Sequence, residues 1–317
     1  MATKPTITVI GSLNIDLVTY TPRLPGGGET LTASGFNVGL GGKGANQAVA
    51  CAKVSRTKAN VKNGSVNIRM VGAVGDDSYG PMMTAGLATV GVDVSGISTR
   101  PTTKTGVAVI IVEGSTGENR IMLSPEVNST VLPDQFSSLS SPLPDLLILQ
   151  LEIPVETVLQ ILIAAHNQGV GVLFNPAPAA RIPDKYYAAV THLIMNESEA
   201  AILSGCSESE LESAEGRDRI AQSFQEFGVK NVLITLGGQG VHYSSTDGKR
   251  RHVVAEKVTV VDTTAAGDTF VGVYALEAIK EDFDIERAVE IANRAASKTV
   301  GRKGAQESIP WQDELVC

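Results

Sequence analysis

The sequence predicts an α/β fold in three layers, helices on both faces of a mostly parallel central sheet, with a small β-sheet lid beside it. Three observations carry that prediction. Short runs rich in β-branched residues recur at 6–10, 68–74, 146–151, 171–174, 191–195 and 232–236, and most are followed by a stretch of helical periodicity. The runs are almost continuously apolar instead of alternating, as strands covered on both faces require. Two segments, 14–38 and 100–124, break this rhythm with Thr, Gly and Pro and read as strands of their own. They are assigned to the lid, and residues 1–13, 39–99 and 125–317 to the core.

Taken in order, the first strand ends at Ile10 and leads into the first lid segment. A glycine-rich turn and a helix carrying Ala45, Ala48, Val49 and Ala52 on one face follow. Residues 55–67, rich in Asn and Lys, read as a polar surface insertion. The second lid segment holds strands at 105–112 and 119–123, joined by Gly114-Ser115-Thr116-Gly117. After the run at 232–236, Thr246-Asp247-Gly248 turns a hairpin whose solvated arm holds Lys249, Arg250 and Arg251. A last strand is predicted at 258–262, and a helix opens near Asp268.

Composition excludes several function classes. The 317 residues are 43% apolar and 19% charged, with 32 glycines, which is an ordinary globular chain. The longest apolar run falls far short of the roughly 20 residues a membrane span needs, and residues 1–5 show no apolar signal region. The expectation is a cytoplasmic protein, with the nucleus also open, and no membrane partner. A net charge of −8 argues against a nucleic-acid partner. Cys51, Cys206 and Cys317 lie too far apart for a disulfide framework or a CxxC site, and the four histidines show no metal spacing.

Two motifs carry chemistry. Gly39-Leu40-Gly41-Gly42-Lys43-Gly44-Ala45-Asn46-Gln47 contains G-x-G-x-x-G, yet no Asp or Glu occurs between Gly44 and Gly75 to bind a ribose hydroxyl of a dinucleotide. Nor is it a P-loop, because Gly44 follows Lys43 where Ser or Thr is required. What remains is backbone that a ligand can approach closely, with Lys43 and Asn46 as donors, or a plain helix-start turn. The second motif is Asp262-Thr263-Thr264-Ala265-Ala266-Gly267-Asp268. The amides of Ala266, Gly267 and Asp268 sit at a helix N-terminus, where free N–H groups and the helix dipole favour an anion such as a phosphoryl group. Asp268 can accept the proton of a substrate hydroxyl there, or merely stabilise the first turn.

The remaining polar candidates follow the strands, at the edge where open α/β sheets place their sites. They are Asn14 and Asp16, Glu152, Asn175, Asn196 and Glu199, and Gly237, Gly238 and Gly240. Asn196 and Glu199, three residues apart, also have the spacing of a capping box.

On the two motifs together, the chain resembles the PfkB carbohydrate kinase family over nearly its whole length. Gly11-Ser12-Leu13-Asn14-Ile15-Asp16, Gln150-Leu151-Glu152, Asn175-Pro176-Ala177-Pro178 and Arg302-Lys303-Gly304-Ala305-Gln306 are similar to the branch acting on D-ribose. The resemblance implies ATP-dependent phosphorylation of D-ribose at O5, with Asp268 as general base and the Ala265 to Asp268 amides as anion hole. It implies sugar binding by Asn14, Asp16, Gly42, Lys43, Asn46 and Glu152, and ATP binding by Asn196, Thr235, Gly237, Gly240, Gly267 and Asn293. Glu199 would act on Mg²⁺ through water, and Asp262, Thr264, Thr299, Arg302, Gly304 and Ser308 would hold K⁺, largely through carbonyls. A homodimer formed through the lid is implied as well. Met195 stands where the family often has Pro, and Asn293 where some members have His. The alternatives are a kinase of the same family acting on adenosine, fructose or a keto-sugar acid, a dinucleotide-dependent oxidoreductase, and a non-catalytic sugar-binding protein.

Overall fold

A computed structural model describes residues 4–114 and 118–315. The turn expected at Gly114-Ser115-Thr116-Gly117 lies largely outside the described residues, as does Cys317. The chain runs β1 (Thr6–Ile10), β2 (Asn14–Thr21), β3 (Gly35–Gly41), α1 (Lys43–Val54), β4 (Asn67–Gly75), α2 (Tyr79–Thr89), β5 (Asp93–Arg100), β6 (Gly106–Glu113) and β7 (Asn119–Ser124). It continues through β8 (Leu146–Leu149), α3 (Val155–Gln168), β9 (Gly171–Phe174), β10 (His192–Asn196), α4 (Glu197–Ser204), α5 (Ala214–Glu226) and β11 (Asn231–Thr235). The last elements are β12 (Val241–Ser245), β13 (Arg250–Val253), α6 (Ala266–Ala278) and α7 (Ile285–Val300).

Nine strands form the central sheet in the order β13-β12-β11-β10-β9-β8-β1-β4-β5, parallel except where β12 joins β11 and β13. β1 lies between β8 and β4, with Ile7 opposite both Leu146 and Ile68. Successive strand residues enter opposite cores. Ile7, Val9 and Ile148 pack with α1, α2, α6 and α7, while Ile10, Leu147 and Leu149 pack with α3, α4 and α5. This double burial is why the runs are continuously apolar, and it makes the three-layer expectation correct. Because the strands are parallel, their C-terminal ends share one edge, and Asn14, Glu152, Asn175 and Asn196 gather there.

A separate sheet of four strands, β3-β2-β6-β7, stands at that edge. β7 is exposed along its whole length.

Three features depart from the sequence reading. No strand forms at 258–262; Val258, Val260 and Val261 are exposed, and the Val261 and Asp262 amides both donate to the Val300 carbonyl at the end of α7. A β-branched run without a neighbouring ladder stays extended but unpaired. α1 is buried from Gly44 to Lys53 instead of on one face, because α6 closes over it. A Cβ on Gly272 of α6 would come within 2.8 Å of the Gln47 carbonyl and 2.9 Å of the Cys51 amide. The 55–67 segment is tied down as well: Arg56 is buried and donates to the Gly91 (2.6 Å) and Val66 (3.0 Å) carbonyls. Among the described residues, no helix is long and apolar enough to cross a membrane.

Candidate active site

Gly42 has φ +86°, and a Cβ there would lie 2.7 Å from the Asn14 amide, so the turn between β3 and α1 admits only glycine. The turn brings the start of α1 against the end of β1 and against Glu152. Glu152 Oε2 accepts from Ser12 Oγ (2.6 Å), the Lys43 amide (2.9 Å) and Asn14 Nδ2 (3.4 Å). Asn14 Oδ1 in turn accepts from Asn128 Nδ2 at 2.8 Å, and Asn128 also bonds the Leu13 amide and carbonyl. Asp16 lies one step further along β2, where a Cβ on Gly41 would collide with its carboxylate. Burial, and then the negative charges of Glu152, Asp268 and Glu307, push Asp16 up to about 7.

Asp268 is 8% exposed, and both of its oxygens are held. Asn46 Nδ2 donates to Oδ2 at 3.0 Å, and Gln47 Nε2 donates to Oδ1 at 2.9 Å. Gln47 also reaches Asn175 Oδ1 (3.1 Å) and accepts from Gln150 Nε2 (2.6 Å). Asn46 Oδ1 is buried with no partner among the described residues, so a polar acceptor waits for a ligand hydroxyl.

α6 opens on Ala265, whose φ of +60° swings the chain into the helix without any side-chain cap. The Ala266 amide turns back to the Thr263 carbonyl (3.3 Å), which narrows the expected four-amide cradle toward Gly267 and Asp268. Beside it, a cavity of about 220 Å³ is lined by Lys43, Asn196, Glu199, Thr235, Gly267 and Asp268. Burial opposes the charge of Lys43, but Asp268, Glu152 and Glu199 outweigh it and hold the ammonium pKa above the ordinary lysine value. Asn196 and Glu199 do form a capping box, each side chain bonded to the other's amide at 2.8 Å. Burial raises the Glu199 pKa, and the residue lines the cavity.

Three of the expected nucleotide residues are not part of this lining. Asn293 turns its amide to the Val254 carbonyl (3.0 Å), away from the lining of this cavity. Gly237 and Gly240 do not line it either; a Cβ on Gly240 would sit 2.7 Å from the Ala255 amide, so close backbone packing explains that glycine.

A second cavity, of about 390 Å³, lies under the small sheet and is lined by Asp16, Asp262, Thr264, Gly304 and Glu307. Asp262 accepts from the Thr264 amide (2.9 Å), Thr264 Oγ1 (2.6 Å) and the Gly304 amide (3.0 Å). The Thr299 carbonyl accepts from the Arg302 amide, the Arg302 guanidinium pairs with Glu314, and Ser308 Oγ donates to the Ala305 carbonyl. Of the expected cation ligands, Asp262, Thr264 and Gly304 line this cavity; Thr299, Arg302 and Ser308 stand behind it. Among the described residues, no group of three His, Cys, Asp or Glu side chains could hold a metal.

The sequence reading gave no role to Gln47, Asn128 or Lys53. Gln47 had a signal, a buried amide among alanines. Asn128 had none. Lys53 Nζ donates to the Gln306 (2.6 Å) and Ile309 (3.1 Å) carbonyls and so holds the segment beside Gly304 and Ser308.

The model of the pfkB family carbohydrate kinases matches residues 4–312. The ribokinase of Schizosaccharomyces pombe is 44% identical over 309 residues, covering 96% of this chain and 94% of the relative. The deoxyribokinase of Salmonella typhi is 35% identical over 307 residues, covering 96% and 95%. The structure of the Arabidopsis thaliana ribokinase complexed with ribose and ATP superimposes with a TM-score of 0.86 at 29% identity, covering 99% of this chain and 98% of that one.

Proposed function

The chain belongs to the pfkB family of carbohydrate kinases, and we propose that its reaction is the ATP-dependent phosphorylation of D-ribose at O5. One observation carries this reading: Asp268 is buried in the first turn of an uncapped helix, with both oxygens fixed by Asn46 and Gln47. A carboxylate so held takes the proton of the attacking hydroxyl, while the adjacent amides receive the charge of the phosphoryl oxygens. Phosphoryl transfer depends more on positioning and charge neutralisation than on covalent chemistry, and this site offers both.

Asn14, Asp16, Gly42, Lys43, Asn46 and Glu152 hold the pentose. Asn196, Thr235 and Gly267 face the nucleotide, and Gly237, Gly240 and Asn293 shape its surroundings. Mg²⁺ would supply charge neutralisation on the phosphates; Glu199, which lines the cavity, suits an ion that keeps most of its waters. Asp262, Thr264, Thr299, Arg302, Gly304 and Ser308 are assigned to a monovalent cation such as K⁺, supported by Asp262, Thr264 and Gly304 meeting on one cavity. Phe36, Val38 and Met122 share one face of the small sheet and are exposed, which supports pairing of two chains there.

The likeness to a deoxyribokinase makes 2-deoxyribose the second substrate to consider. An ATP-consumption assay across ribose, 2-deoxyribose, fructose and adenosine tests the reading. Ribose is expected to give the highest kcat/KM, and turnover of adenosine alone would reject it.

A further inference from the structure

Away from the site just described, on the opposite face of the sheet from α1 and α6, a cleft of about 300 Å³ opens over β1, β4 and β5. Residues 131–144 form its other wall. Two arginines line it, Arg69 from β4 and Arg100 from β5, and no Asp or Glu does. In a chain of net charge −8 that is an unusual local excess. The Nε atoms of both arginines are shielded from solvent and have no hydrogen-bond partner among the described residues. A buried guanidinium N–H without a partner is costly, and such groups are normally satisfied by protein, water or ligand.

Arg69 does have a neighbour in Asp93, but at 3.9 Å, with the carboxylate about half exposed, the pair is loose. An adjoining hollow that shares Thr8, Arg69 and Pro142 adds Lys4, Arg56 and Lys62 against Asp93, so the field is positive on that side too. The rest of the lining mixes apolar side chains such as Ile10, Val71 and Leu147 with the polar Thr8, Ser98 and Gln135, of which Ser98 and Gln135 donate to backbone carbonyls and keep their oxygens as acceptors.

We propose that this cleft binds a small phosphate-bearing metabolite, its anionic group on the guanidinium N–H donors and its hydroxyls against Thr8, Ser98 and Gln135. Guanidinium is the side chain best matched to phosphate oxygens. Arg69 lies opposite Asp93 and Arg100 opposite Gly75, so their backbones are well separated and an elongated ligand can meet both. The cleft also reaches the reaction site through the chain itself. The segment that starts with Asn128, bonded to Asn14, continues into the wall residues Val131 and Gln135. A ligand that braces this wall alters the placement of Asn14, and the coupling is reciprocal.

The test is calorimetric titration of inorganic phosphate and of fructose 1,6-bisphosphate into the full-length protein, its Arg69→Gln and Arg100→Gln variants. Saturable binding is expected in the parent, weakened at least about tenfold in each variant, with kcat in phosphate-free buffer unchanged. Tighter binding of the bisphosphate assigns the cleft to a phosphorylated sugar, and tighter binding of phosphate assigns it to the free anion. Ribose KM is expected to shift with the probe in the parent and to stay constant in both variants. Binding that is undetectable, or equally tight in the parent and both variants, overturns the proposal.

Discussion

The two ends of the cleft solve opposite problems with opposite groups. At the end assigned to the sugar, Asp16 sits among the negative charges of Glu152, Asp268 and Glu307, and burial with their repulsion pushes it up to about 7. At the end assigned to the phosphates, the uncapped amides of α6 stand beside Glu199 and the Asp268 that both ends share. Hydroxyls are donors, and carboxylates are the strongest acceptors available to orient them. Phosphoryl oxygens need donors, and amides supply these without adding charge. The carboxylate-rich end therefore carries an electrostatic cost in the free protein, accepted for function.

The largest effect should come from the residue where the two ends meet. Asp268→Asn is expected to cut kcat by about 10²–10⁴-fold while ribose and ATP binding change little. Near-normal turnover would break the division of labour.

Asp16→Asn separates function from stability. Ribose KM should rise by about 10–100-fold as one charged acceptor is lost. The folded pKa of Asp16, about 7, lies above the ordinary aspartate value of 3.8, so the unfolded chain releases this proton first. Stability from this group is thus present at low pH and lost as pH rises from about 4 to about 7. The variant should gain about 1–3 kcal/mol over the parent at pH 8 and nothing below about pH 4. A Tm difference that is the same at both pH values would refute the charge crowding.

Asn128→Ala removes the bonds that hold Asn14 and Leu13, at a cost of about 1–3 kcal/mol. It is expected to raise ribose KM several-fold with kcat unchanged; a fall in kcat alone would show that Asn128 acts elsewhere. The smallest effect tests the wall formed by Asp262 and Gly304: exchanging K⁺ for a large organic cation should lower the rate severalfold. A rate indifferent to that exchange would remove the cation from the scheme.

The fold was largely legible because burial on both faces writes itself into a strand as an unbroken apolar run, as at 146–149 and 171–174. It failed at 258–262, where Val258, Val260 and Val261 have the propensity but no neighbouring strand, a fact held by the topology alone. The site was legible where glycines and caps cluster locally: Gly42 with its positive φ, and Asn196 with Glu199. It was not legible where residues far apart in sequence meet. Nothing near Asn128 announces Asn14, 114 positions away. Nor does sequence show the packing contacts that Asn293 makes with the Val254 carbonyl and Gly240 with the backbone of residues 253–255.

The bare backbone at Gly272, pressed against the Gln47 carbonyl and the Cys51 amide, has a mechanical meaning. It welds α1 to α6, so the carboxamides of Asn46 and Gln47 and the carboxylate they steady form one rigid jaw. Asp16, carried by the small sheet, belongs to the other jaw. If the cleft opens and shuts, the tooth spacing inside the first jaw stays constant through the stroke, and only the second jaw travels.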